Sequence, residues 1–168
     1  ILIGLVGSEM CIRDRPYSKQ FINNLKSKNK FHSVLKIKLP KKLKFRIFSK
    51  ELLKEKFNLI VIALSLPGIN FISKELKNIK NKTPILILTK GLKYDKKRNK
   101  ILTISEQIKI DTKNKNISVL KGPCLAKELA KKNQTKVIIA NKNINIAKKI
   151  GKLISCLLYT SPSPRDQS

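Results

Sequence analysis

Short apolar runs of strand length recur along this chain, and each interval between them is long enough to hold a helix. The first run, Leu59 to Leu64, is almost entirely aliphatic, which is typical of a strand buried on both faces of a parallel sheet. Strands that alternate with helices predict a mostly parallel sheet covered by helices on both faces, an α/β fold. The predicted strands are Leu59 to Leu64, Pro84 to Leu88, Ile117 to Leu120 and Val137 to Ala140.

The helices are predicted from apolar residues at helical spacing and from capping residues. Ile69, Ile72, Leu76 and Ile79 form one such stripe after the Pro67-Gly68 break. The other predicted helices are Tyr17 to Lys28, a short helix capped by Ser49 that runs through Phe57, Ile101 to Lys109, Cys124 to Lys132, and a last helix that begins at Asn143 with Ile146, Ile150, Leu153 and Ile154 inward. Leu43 to Phe48 alternates apolar and basic residues and predicts a further strand, while Tyr94 to Asn99 predicts a polar turn.

The net charge of +28 favours a nucleic-acid-binding module as one interpretation of this chain. Against it, lysine, isoleucine and asparagine are over-used together, and all three have A/T-rich codons. The lysines are spread along the chain, and there is no Trp on which bases could stack. An even scatter of lysines over the folded surface would favour codon bias, and one continuous stripe would favour nucleic-acid binding.

Several other classes of function find no support in the sequence. His32 is the only histidine and the three cysteines do not cluster, so a metal site and a Ser-His or Cys-His nucleophile are not predicted. No apolar run approaches the roughly 20 residues that cross a bilayer. An odd number of cysteines favours a reducing compartment, and we therefore predict a cytoplasmic protein.

Both termini differ in composition from the rest of the chain, since Ile1 to Arg15 and Cys156 to Ser168 contain no lysine. A back-translation of Cys156 to Arg165 has a reverse complement that reads, in frame, as Leu5 to Asp14. This relation is that of flanking inverted DNA, such as a sequencing adapter. We therefore expect residues 1–15 and 156–168 to be adapter-derived and to be disordered or to pack poorly, and residues 16–155 to be a partial domain.

Thr89-Lys90-Gly91 directly follows one predicted strand, at the strand end where open α/β sheets bind their ligands. The Lys90 ammonium would be a compact positive charge in that crevice, suited to a phosphate or a substrate oxygen. The alternative is one more solvated lysine among many.

Gly122 to Glu128 follows the next predicted strand with the sequence Gly-Pro-Cys-Leu-Ala-Lys-Glu. Gly122 permits close backbone approach, and the free N–H groups at the start of the following helix, including those of Leu125 and Ala126, could hold an anion. A turn that starts a helix without any ligand remains the alternative. Cys124 is either a thiol activated at the helix N-terminus or simply a small residue that faces the site.

In this order and spacing, the motifs resemble the N-terminal domain of NAD(P)-dependent glycerol-3-phosphate dehydrogenase. That family has an apolar strand that ends in Ala-Val-Pro-Ser, then Thr-Lys-Gly, a Ser-Glu before a helix, and Gly-Pro-Ser-Phe-Ala-x-Glu. Here Ser105-Glu106 matches the Ser-Glu element, and the resemblance covers essentially all of residues 16–155. Ala63 to Leu66 departs from Ala-Val-Pro-Ser, and Cys124 and Leu125 replace Ser and Phe.

The resemblance implies hydride transfer between a nicotinamide cofactor, NAD or NADP, and C2 of dihydroxyacetone phosphate or glycerol 3-phosphate, in glycerophospholipid synthesis. It implies that Lys90 contacts both cofactor and substrate, that Gly122 and Cys124 contact the substrate, and that Ala126 lies near the cofactor. A small phosphorylated triose or glycerol is then the partner, with no specific nucleic acid and no membrane. Ketopantoate-reductase-like and phosphogluconate-dehydrogenase-like enzymes remain alternatives within the same two-domain plan.

The family's first βαβ unit carries a Gly-x-Gly-x-x-Gly turn that holds the cofactor pyrophosphate. The sequence lacks this turn, since Gly4 and Gly7 have a different spacing. The resemblance therefore implies an incomplete Rossmann-like domain whose catalytic lysine would belong to a further helical domain. We expect this chain alone to be inactive.

Overall fold

The computed structural model describes residues 2–3, 9–12, 23, 30–32, 36–39, 44–77, 83–122 and 136–158. Its strands are β1 (Leu2–Ile3), β2 (Glu9–Ile12), β3 (Phe31–His32), β4 (Ile37–Lys38), β5 (Lys44–Ile47), β6 (Ile60–Ile62), β7 (Ile85–Ile87), β8 (Leu92–Asp95), β9 (Lys100–Thr103), β10 (Ile117–Lys121) and β11 (Ile138–Ala140). Its helices are a 3-10 helix (Glu51–Lys54), α1 (Leu66–Lys77), α2 (Ile104–Thr112) and α3 (Ile144–Leu158).

Seven of these strands form one sheet in the order β11-β10-β7-β6-β1-β2-β5. The central strands β6, β7 and β10 are parallel, and β2 and β5 run in the same direction as they do. Only β1 and β11 run antiparallel to their neighbours in the described sheet. The prediction of an α/β, mostly parallel and Rossmann-like sheet is confirmed.

The two faces of the sheet are covered by different helices because successive residues of a strand point to opposite faces. Ile60 and Ile62 lie in the core cluster that includes Ile69 and Ile72 of α1 and Ile108 of α2. The residues between them pack on the other face. Leu59, Val61, Leu86 and Leu120 form a second cluster with Ile150 and Ile154 of α3.

The segment after Gly91 folds differently from the prediction of a polar turn followed by a helix from Ile101. It forms the hairpin β8–β9, in which Tyr94 lies opposite Ile101, and α2 begins only at Ile104. Asp95 shapes the turn, since its carboxylate accepts from the Lys97 N–H at 3.0 Å and from the Arg98 guanidinium at 2.6 Å. The alternation of apolar and polar residues from Leu92 to Asp95 is the sequence signal for this strand.

The helices differ from the predictions in three places. α1 begins at Leu66, so that Pro67 lies in the first turn, where a missing N–H costs no helical hydrogen bond. Ser49 does not cap the 3-10 helix; the N-cap is Lys50, and the Ser49 hydroxyl bonds the Glu51 carboxylate instead. In α3, Leu153 is 37% exposed rather than inward, whereas Ala147, Ile150 and Ile154 are buried.

Parts of both predicted terminal segments have regular structure. Leu2–Ile3 and Glu9–Ile12 are strands, and β1 pairs with β6 while β2 pairs with β5. Backbone pairing of extended residues with an open strand edge accounts for this placement. The adapter origin of the two terminal segments stays a prediction. The predicted helices at Tyr17 to Lys28 and at Cys124 to Lys132 lie outside the described residues, apart from the helical Asn23.

Candidate functional site at the carboxyl rim of the sheet

The carboxyl ends of β6, β7 and β10 meet along one edge of the sheet, which we call the carboxyl rim and define as residues 63–66, 88–91 and 121–122. Ile62 pairs with Ile87, and Ile87 pairs with Val119. Lys90 lies three residues after Ile87, and Gly122 lies three residues after Val119, the partner of Ile87. Both residues therefore follow their strands at the same distance from a paired position. They thus follow strand ends at the same edge of the sheet, the edge at which the sequence places Lys90 in a ligand crevice.

The residues on either side of Lys90 lie next to the chain that leaves β6 and enters α1. The Thr89 hydroxyl donates to the Leu64 carbonyl at 2.8 Å and accepts from the Leu64 N–H at 3.1 Å. Gly91 has a φ of +138°, and a Cβ there would lie 2.7 Å from Cδ2 of Leu66. The Lys90 side chain itself is exposed, so its ammonium is open to a ligand at the rim.

Gly122 is half-buried and follows β10 with a φ of +147°, in the left-handed region that favours glycine. A Cβ at this position would lie 2.6 Å from the Lys136 carbonyl oxygen and 3.1 Å from the Val137 Cα. The close backbone approach that the sequence predicts is thus present, and the approaching group is the chain segment that enters β11. A glycine is required here for the fold, whatever ligand the rim binds.

The described part of the rim carries positive charge and no carboxylate. Lys90 and Lys121 are exposed on it, and Lys136 is exposed on the segment that lies against Gly122. Lysine ammoniums at the ends of parallel strands suit an anion, and a phosphate in particular.

Comparisons with known proteins identify the family of this chain. A profile of the family described as NAD-dependent glycerol-3-phosphate dehydrogenase N-terminus matches residues 8–147. The chain belongs to this family. No curated protein matches the chain significantly.

Solved structures of three proteins are similar to this chain in fold. DsGPDH of Dunaliella salina matches 92% of this chain and 26% of its own length, with a TM-score of 0.73 and 18% identity. Glycerol-3-phosphate dehydrogenase of Plasmodium falciparum matches 90% of this chain and 41% of its own, with a TM-score of 0.73 and 19% identity. The enzyme of Coxiella burnetii matches 86% and 42%, with a TM-score of 0.65 and 21% identity. The chain thus spans less than half the length of each of these structures.

Membership of the family implies a nicotinamide cofactor, and the exposed lysines of the described rim suit the phosphate-bearing part of such a molecule. Of the predicted site residues, the structure brings Lys90 and Gly122 to one rim. Cys124 and Ala126 lie outside the described residues, so their contacts with substrate and cofactor stay predictions.

The Ser-Glu element of the dehydrogenase pattern has a structural role in this domain. Thr103 is the N-cap of α2: its hydroxyl accepts from the Glu106 N–H at 3.3 Å, and the Glu106 carboxylate accepts from the Thr103 N–H at 2.8 Å. The Thr103 hydroxyl also donates to the Glu106 carboxylate at 2.9 Å, and the two bonds that this carboxylate accepts from Thr103, the backbone one foremost, lower the pKa of Glu106. The spacing of Thr103 and Glu106 is a capping-box signature that the sequence already displays.

Two further findings concern the described residues alone. No group of three His, Cys, Asp or Glu side chains there could hold a metal ion. No helix within the described ranges is both long and apolar enough to cross a membrane.

Proposed function

We propose that this chain is the cofactor-side part of an oxidoreductase that interconverts dihydroxyacetone phosphate and sn-glycerol 3-phosphate by hydride transfer with NAD(P)H. Family membership supports the reaction class. The observation that carries the proposal is the position of Lys90 and Gly122, three residues past paired positions on adjacent parallel strands. The cellular role is glycerophospholipid synthesis in the cytoplasm.

In this reaction the nicotinamide ring, when bound, supplies or accepts the hydride. The chain's own contribution is to bind and orient. The Lys90 ammonium, exposed at the rim, attracts a substrate phosphate or the carbonyl oxygen, which gains negative charge as the carbonyl is reduced. Gly122 follows β10 at the same edge of the sheet as Lys90, so a small phosphorylated triose held by Lys90 can lie close to it.

The surface lysines support this function over a nucleic-acid-binding module. Exposed lysines occur on α1 at Lys74, on α2 at Lys109 and on α3 at Lys148. Because α1 and α2 cover one face of the sheet and α3 covers the other, these charges do not form a single stripe. The scatter favours codon bias as the origin of the net charge.

A binding titration tests the proposal on the purified chain, with NADH fluorescence as the signal and dihydroxyacetone phosphate added in a second series. Lys90→Ala should weaken binding about tenfold, the usual order for a lost charged contact. Lys148→Ala, which removes the same charge from α3, should not weaken it. Equal losses in both variants that disappear with added salt would show non-specific attraction and contradict the proposal.

A turnover assay tests our expectation that the chain alone is inactive. The chain carries Lys90, but its family resemblance assigns the catalytic lysine to a further domain. We therefore expect no oxidation of NADH or NADPH that depends on dihydroxyacetone phosphate, measured by absorbance. Measurable turnover that Lys90→Ala abolishes would overturn this expectation.

A further inference from the structure

Where β6 and β7 end, the hydrogen bonds between the two backbones stop, and the Thr89 side chain bonds the backbone of Leu64 instead. The last regular bond between the two strands runs from the Leu88 N–H to the Ile62 carbonyl at 2.9 Å. Beyond it, one hydroxyl accepts from the Leu64 N–H at 3.1 Å and donates to the Leu64 carbonyl at 2.8 Å. A single side chain therefore satisfies both polar backbone groups of Leu64.

The contact continues along the chain in alternate residues. Gly91 lies against Leu66, and the Lys93 ammonium donates to the Asn70 side chain on α1. Thr89, Gly91 and Lys93 thus each contact the β6–α1 segment. Residues of an extended chain alternate in direction, so the side chains between them face away. Lys90, Leu92 and Tyr94 are accordingly exposed.

The residues on both sides of Lys90 constrain its backbone. The preceding Thr89 bonds Leu64, and the following Gly91 has a φ of +138°, which glycine adopts without strain. Only a hydroxyl can provide both bonds to Leu64, because the site needs one acceptor and one donor within the volume of a small side chain. A valine of the same shape would leave the N–H and the carbonyl of Leu64 without these partners.

We propose that Thr89 is a positioning residue for the ligand site at the carboxyl rim: its hydroxyl fixes the backbone from which Lys90 reaches the substrate phosphate. The identity of the ligand in this inference rests on the proposed function. The effect of Thr89 on Lys90 rests on the geometry alone. Thr89 touches neither substrate nor cofactor in this role and acts through the residue that follows it.

Thr83 provides a matched control at the opposite end of the same two strands. Its hydroxyl donates to the Phe57 carbonyl at 3.2 Å, a bond of the same kind across 26 residues, compared with 25 for Thr89 and Leu64. Thr83 is 5% exposed and lies before β7, whereas Thr89 lies after it. Thr83→Val and Thr89→Val therefore make the same chemical change at opposite rims of the sheet.

The test compares Thr89→Val, Thr89→Ser and Thr83→Val in the whole chain. The backbone order parameter of Lys90 is measured by ¹⁵N relaxation, and dihydroxyacetone phosphate and NADH are titrated in parallel. We expect Thr89→Val to lower the order parameter at Lys90 and to weaken binding about tenfold, with Thr89→Ser close to the parent chain. Thr83→Val should lower the stability but change neither readout.

Unchanged order at Lys90 in Thr89→Val, or equal changes in Thr83→Val, would overturn the inference. Absence of binding in the parent chain would count against the proposed function of the isolated chain and not against the positioning role, which the order parameter then decides. The two failures are thereby distinguishable.

Discussion

The Lys136 carbonyl oxygen lies where a Cβ of residue 122 would point, 2.6 Å from it. Gly122 therefore has two separate constraints, a left-handed φ and a backbone neighbour that cannot rotate away as a flexible side chain could. This contact brings the segment that enters β11 against the end of β10, beside the rim that carries Lys90.

Gly122→Ala should lower the free energy of unfolding by about 1–3 kcal/mol, because it adds strain at a left-handed φ and a clash with backbone. Urea unfolding followed by circular dichroism measures the loss. Gly151→Ala in α3 is the control, since its Cβ would find only an ordinary contact, 3.9 Å from Ile139 Cδ1. That variant should gain about 0.5–1 kcal/mol from helix propensity; a loss at residue 151 comparable to that at 122 would contradict the backbone clash as the cause.

Ser73→Ala should raise the stability of the chain. Ser73 lies on α1 with 1% exposure, and its hydroxyl has no hydrogen-bond partner among the described residues. A buried, unsatisfied hydroxyl costs roughly 1–3 kcal/mol, which alanine relieves at little loss of volume. Thermal unfolding should show a midpoint a few degrees higher, whereas a lower midpoint would mean that the hydroxyl has a partner in solution.

Thr103→Ala should remove the capping box of α2 and cost about 0.5–2 kcal/mol near neutral pH. Because the folded-state pKa of Glu106 is lowered, the stability from its carboxylate is present above the unfolded value of about 4.3 and is lost as the pH falls through the folded value. The difference in unfolding midpoint between Thr103→Ala and the parent chain should therefore shrink on acidification below about pH 4. The Ala variant keeps the backbone N–H bond to Glu106, so a difference that stays constant with pH would contradict a contribution from the bond between the Thr103 hydroxyl and the Glu106 carboxylate.

Asn141→Ala should weaken the junction between β10 and α3. The Asn141 amide donates to the Ser118 hydroxyl at 2.7 Å and to the Ile117 carbonyl at 3.1 Å, and its oxygen accepts from the Asn143 N–H at 2.8 Å. Ser118 is fully buried, so the variant leaves its hydroxyl without this partner at a cost of about 1–3 kcal/mol. The double variant Asn141→Ala with Ser118→Ala should recover part of the loss in urea unfolding; a strictly additive double variant would refute the coupling.

The buried strands were predictable because each is a short aliphatic run that periodicity alone identifies. The predicted strand Ile117 to Leu120 corresponds to Ile117–Lys121, and the prediction of Asn143 as the start of the last helix is confirmed by its side chain, which accepts from the Asn145 N–H at 2.9 Å.

The hairpin β8–β9 was not predicted because most of its side chains are exposed, so that no buried apolar run marks its strands. Leu92 and Ile101 are 62% and 66% exposed, and only Leu102 is buried at 1%. The dense lysines between them resemble a loop in composition, although Asn99, at a φ of +49°, and Asp95 shape a defined turn. Composition could not reveal the tertiary contacts that fix the segment to α1.

The candidate site was only partly predictable for a similar reason. Thr89-Lys90-Gly91 indicated a lysine at a strand end, and the register placed it beside Gly122. The bonds from Thr89 to Leu64 join residues 25 positions apart, and no local pattern in the sequence specifies such a partner. The capping box at Thr103, by contrast, was visible in the sequence, but the predicted helix started at Ile101 and so missed it.

The alternation from Thr89 to Tyr94 also sets how freely this stretch can vary. At the even positions Lys90, Leu92 and Tyr94, a saturation library selected for folding alone should accept chemically diverse substitutions, because these side chains project into solvent. At Thr89 and Gly91 the same selection should retain few. Selection for ligand capture would then reduce the diversity at a single even position, Lys90, and so separate the residue that serves binding from those that serve architecture.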